Sequence, residues 1–90
     1  MPAVTSETIH DRVRRGRYVH SFHAERERQE AAISVAELEH ALLGGEIIEE
    51  FRSDPRGVTY LVLGFAGQRP IHTWCTVQER TREIVLLAVL

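Results

Sequence analysis

The chain has 90 residues, 43% of them apolar and 27% charged, with a formal net charge of -2. That suffices for one domain around one modest core, and the slightly negative balance excludes a protein that coats nucleic acid across a whole face. No apolar run is long enough to span a bilayer, so no membrane partner is expected.

Met1 to Ser6 lack the basic start and greasy stretch of a secretion signal, which leads to the expectation of a cytoplasmic protein. Cys75 is the only cysteine, so it forms no internal disulfide, and its run IHTWCTV reads as a strand that packs it. All eleven basic residues are arginine, the side chain whose planar fork suits phosphate and carboxylate geometry. They crowd most densely at Arg12, Arg14, Arg15 and Arg17. That run reads as a solvated helix face, a phosphate-facing patch, or a surface for an acidic partner.

In chain order, a loose tail leads into a short helix starting near Ser6 and ended by Gly16. Its apolar stripe is only Ile9 and Val13, which predicts weak docking or ordering by a partner. Tyr18 and Val19 read as a short extended piece. Ser21 is a candidate cap for a polar helix over about 22–32, with possible i,i+4 pairs of His23 with Glu27 and Arg26 with Glu30. Ser34 and Glu37 form a capping box, and Ile33 and Leu38 the matching staple. Val35, Leu38 and Leu42 form the stripe of that helix, and Gly44-Gly45 stop it.

From there the period changes to that of strands. The runs EIIEEF (46–51), VTYLVLGF (58–65), PIHTWCTV (70–77) and EIVLLAVL (83–90) are separated by turn-length gaps. Asp54, Pro55 and Gly57 turn the first gap, and Gly67-Gln68 the second. The expected fold is α+β: two or three N-terminal helices packed on a four-stranded, mainly antiparallel sheet. The unbroken apolar last strand is expected in the interior of the sheet or against a partner, since an exposed edge of that kind invites aggregation.

Ser21-Phe22-His23-Ala24, then Ile33-Ser34, then Gly45-Glu46-Ile47-Ile48-Glu49, then Gly64 and Arg69-Pro70-Ile71-His72 occur in an order and spacing that resemble the DUF4258 family. The resemblance covers about 18–90, which sets residues 1–17 apart as an N-terminal tail and short helix. It implies a RelE/barnase-like fold, a metal-independent endoribonuclease cleaving single-stranded RNA by 2′-OH attack, and an antitoxin-like protein partner. The chain departs from its relatives at Glu27 and Ala31, where many carry arginine, at Ala32, where they carry glycine, and at the last strand, which lacks their Thr-x-Tyr ending.

Metal-free RNA cleavage needs a base, an acid and cations around the phosphate. His23, in the first turn of its helix, is the first candidate for proton transfer, and His72 is the second. His72 shares a strand face with Trp74 and Thr76, and Trp74 can stack a base. Arg26, Arg28, Arg69 and Arg80 are the candidate phosphate ligands, Arg69 because of the family resemblance. Each of these residues has a structural alternative: a hydrogen-bonded helix start for His23, a core neighbour of Trp74 for His72, surface charges for the arginines. His20-x-x-His23 and His72-x-x-Cys75 have finger-like spacing. However, His72 and Cys75 face opposite sides of a strand, so neither metal nor cofactor is expected. The competing expectation is a non-catalytic binding module on the same fold, one that dimerises or holds a partner protein.

Overall fold

Three capped helices and five strands account for these periodicities in the computed structural model, which describes residues 3–52, 55 and 57–90. In chain order they are α1 (Ser6–Arg14), β1 (Tyr18–His20), α2 (Phe22–Glu30), α3 (Val35–Leu43), β2 (Glu46–Phe51), β3 (Thr59–Ala66), β4 (Arg69–Val77) and β5 (Ile84–Val89). Asp54, expected to open the β2–β3 turn, lies outside the described residues. Among the described residues no helix is long and apolar enough to cross a membrane.

The expected four-stranded sheet gains a fifth strand and becomes mixed, in the order β1-β5-β4-β3-β2. The meander β2 to β5 is antiparallel as anticipated. The addition is β1, which pairs parallel to β5 with Tyr18 opposite Ile84 and His20 opposite Leu86. Three residues are too few to show an alternation, and their partners lie more than sixty positions away. β5 is therefore flanked on both sides, which answers the edge hazard posed by its apolar run.

All three helices pack on one face of the sheet. Ile9 and Val13 of α1, Ala24 of α2, and Leu38, Ala41 and Leu42 of α3 meet Tyr60, Val62, Ile71, Cys75, Ile84 and Leu86 in one core. The anticipated weak docking of α1 is corrected here. Ile9 and Val13 are buried, at about 1.5–3 kcal/mol each. Thr5, rather than Ser6, caps α1 through a box with Thr8. That leaves the Ser6 hydroxyl free to accept from the Ile47 N–H at 2.9 Å. Arg12 Nε and Arg17 Nη2 donate to the Arg82 and Thr81 carbonyls, and Arg15 bonds Asp11. Most of the basic run therefore ties α1 to itself and to the β4–β5 turn. The α3 box at Ser34 and Glu37 forms as expected, but Val35 is largely exposed and Ala41 takes its place in the stripe.

Two backbone positions control how the helices sit. A Cβ at Gly64 would overlap the Ala41 carbonyl, so α3 lies directly on β3 there. At the α2–α3 corner the Ala32 and Ile33 N–H groups bond back to the Gln29 and Arg28 carbonyls, a Schellman closure. It puts Ala32, a residue with a Cβ, at φ 55°. Gly64→Ala is expected to cost about 1–3 kcal/mol or more by overpacking. Ala32→Gly is expected to stabilise by about 0.5–1 kcal/mol, the relief of left-handed strain less the added freedom of the unfolded chain. Urea unfolding of the two variants beside the parent measures both signs.

Candidate functional site

β1 is short, so the outer edge of β5 beyond Leu86 needs another partner. The start of α2 supplies it. The Ser21 N–H continues the pairing to the Leu86 carbonyl at 2.9 Å, and its hydroxyl caps α2 by accepting from the Ala24 N–H at 3.0 Å. One turn on, Glu27 Oε1 accepts from the Val89 N–H at 2.9 Å. A register shift opposite Trp74 and Cys75 leaves Leu87 as the extra residue of a bulge in β5. Bulges of this kind re-aim side chains beside binding sites.

These features frame a groove of about 500 Å³ on the side of the sheet away from the core. It is lined by Ser21 and His23 of the α2 start, Leu87 and Ala88 of β5, Trp74 of β4, and Thr59 with Phe51 at its far end. His23 is 67% exposed, and its Nε2 stands 3.3 Å from Glu27 Oε2. Glu27 thus bonds the β5 edge with one oxygen and lies beside the imidazole with the other. Arg26, three residues after His23, is its neighbour on the helix surface and is exposed. The first-turn N–H groups of Phe22 and His23 have no acceptor within the helix.

The structure brings together His23, Trp74 and, through the helix surface, Arg26. His72 lies on the same open face as Trp74, opposite Leu63 and half-buried, but it is not among the groove-lining residues. Thr76 shares their register but is buried and donates to the Val58 carbonyl. Arg28 is turned away: it grips Glu25 and donates to the Ile33 carbonyl at 2.7 Å. The Arg28 hydrogen bond to Glu25 holds that carboxyl below the usual carboxylate range. Arg69 bonds the Ala31 and Ala32 carbonyls, so it caps the end of α2. Arg80 is exposed in the β4–β5 turn, outside the groove. Phe51, Thr59, Leu87 and Ala88 escaped the sequence reading because each is an ordinary strand residue, placed in the groove only by pairing register.

The remaining polar clusters serve the packing. The Tyr18 hydroxyl donates to Glu39, and burial followed by that bond pushes its pKa upward, which keeps it a neutral donor. His20 Nδ1 is buried 3.1 Å from Glu25 Oε2, off hydrogen-bonding geometry. His10 Nε2 bonds the Gly45 carbonyl at 2.7 Å. Among the described residues no three His, Cys, Asp or Glu side chains converge on a point where a metal ion could sit. Cys75 is buried on the core side, and burial pushes its thiol up to about 12. A disulfide reagent such as DTNB is therefore expected to leave Cys75 unmodified in the native protein at pH 8 and to titrate one thiol per chain in denaturant; rapid native labelling would contradict the packing.

Against known proteins, a family model described as "Domain of unknown function (DUF4258)" matches residues 20–89. No match was found among curated proteins or among solved structures.

Proposed function

The chain belongs to the DUF4258 family, and from that premise we propose that it is a metal-independent endoribonuclease of the toxin type that binds single-stranded RNA in the α2–sheet groove. The observation that carries the reading is the His23 ring, beside Glu27 at the mouth of a groove floored by Trp74. In this reading a base of the RNA stacks on Trp74, and the adjoining ribose lies against α2. His23 removes the 2′-OH proton and O2′ attacks phosphorus. The 5′-oxygen then leaves with a proton, for which His72 is the candidate donor, and a 2′,3′-cyclic phosphate remains. Arg26 and the free N–H groups of the first turn of α2 face the phosphate. The fold analogy is to RelE/barnase-like nucleases, and the α2–α3 pair set against an antiparallel meander is compatible with it. The nucleophile belongs to the RNA itself, so the reaction needs no metal.

A second reading, a non-catalytic protein-binding module, is favoured by the arginines. Arg28 and Arg69 are engaged internally, and among the described residues no arginine lines the groove.

The test is cleavage of labelled single-stranded RNA by purified protein with EDTA present, with and without ribosomes. The parent is expected to cleave. His23→Ala is expected to lower the rate by about 10²–10⁴-fold with an unchanged circular dichroism spectrum, and Arg26→Ala to lower it less. Equal cleavage by the parent and His23→Ala would remove His23 from the mechanism. A parent inactive in both conditions leaves the binding-module reading.

A further inference from the structure

We propose that the sheet face turned away from the helices is a docking surface for a cationic amphipathic helix of a partner protein. This goes beyond the cleavage reading and does not depend on it, although the face includes Trp74, His72 and Phe51, so that a seated helix and RNA would exclude each other. A sheet covered on one side should alternate apolar and polar residues, whereas near-continuous apolar strands belong to sheets buried on both faces. Here the inward positions are filled by the core, and many of the outward ones are apolar as well. Leu61, Leu63 and Phe65 of β3 stand opposite Trp74, His72 and Pro70 of β4, and Val85 of β5 lies beside Val19 of β1. Phe65, Phe51 and Val19 are 51%, 53% and 47% exposed. The three helices of the chain all lie on the other face, so a second layer has to come from outside.

Charge selects the occupant. The outward positions of β2 that face Leu63 and Leu61 are Glu46 and Glu49, both exposed. Among the described residues no arginine occupies an outward strand position: Arg69 follows the inward register of β4. The strands of this face thus present an apolar band with a carboxylate margin along β2 and, among the described residues, no arginine, Arg26 lying on α2 at the other edge. A second copy would bring the same carboxylates without a counter-charge on its own strands, and RNA phosphates would be repelled along this β2 margin, at the opposite edge of the sheet from α2. An apolar stripe flanked by Lys or Arg matches both parts. The dimensions also fit. The nine residues of β4 extend ~30 Å, and a helix of about 18 residues is ~27 Å long. Helices are the elements that layer on a sheet face, as the chain's own three do behind it.

The test uses the intact protein and a fluorescein-labelled Leu/Ala/Lys amphipathic peptide of about 18 residues, followed by anisotropy. A peptide with Glu in place of every Lys is the control. The Leu/Ala/Lys peptide is expected to bind, and Glu46→Lys with Glu49→Lys, or Phe65→Ser alone, to weaken it by about ten-fold or more. The Glu peptide is expected not to bind. Melting curves check that the variants, all at exposed positions, still fold. Equal binding of both peptides, or binding indifferent to these substitutions, would overturn the proposal. So would a dimer in sedimentation that Phe65→Ser dissociates, or single-stranded RNA binding that Phe65→Ser abolishes. None of these variants touches His23, so the outcome is separate from that of the cleavage assay.

Discussion

The open side of the molecule depends on how the outer edge of β5 is closed. A strand with an unpaired edge exposes N–H and carbonyl groups that must find partners. β1 satisfies them only as far as Leu86. Past that point the Ser21 hydroxyl and the Glu27 carboxylate of α2 take over. A helix used in this way is drawn to the rim of the sheet instead of lying wholly behind it. That is why His23, which faces outward from the same turn, reaches the groove on the far side. Closure of the edge and presentation of the histidine are one arrangement, joined through Glu27.

The same arrangement gives meaning to the departures from family pattern. Glu27 stands where many relatives are expected to carry arginine, and here the position demands an acceptor, because the Val89 N–H points at it. Ala32 stands where a glycine is expected, and the chain still takes the left-handed turn at that point. Arg69 holds the carbonyls at that corner from across the fold. A residue matched to a family by sequence can thus be an organiser of the site's framework, with its guanidinium bonded to backbone and unavailable to a ligand.

Much of the framework was legible because its signals are local. The Ser34–Glu37 box with the Ile33–Leu38 staple, the change of period after Gly45, and the two-residue turn at Gly67-Gln68 all lie within a few positions of the structure they specify. Gly67 at φ 62° in the first central position suits that tight hairpin. The histidine–carboxylate pair at 23 and 27 was also readable, since four residues make one turn. What was not legible depends on partners distant in sequence. Tyr18 and Val19 read only as a short extended piece, with no partner, until β5 is in place. Ile9 and Val13 look like a weak stripe until the core receives them. The groove takes residues from α2 and four strands, and no pattern within a single segment could bring Phe51 beside Trp74. The roles of Arg28 and Arg69 were hidden for the same reason: only the fold reveals which guanidinium groups have backbone carbonyls within reach.

The pairing of residues 18–20 with 84–86 also bears on the order in which the chain assembles. The helix pair and the β2–β3–β4 meander are built from near neighbours, and such contacts form early because little loop entropy opposes them. β1 has no such neighbour. During synthesis it emerges long before β5, and until β5 arrives neither β1 nor the edge-closing turn of α2 has a partner. β5, made long after β1, is therefore the strand that locks β1 into the sheet. Only then do Glu27 and His23 take up their positions. A nascent chain that stopped short of β5 would have most of its secondary structure but no groove.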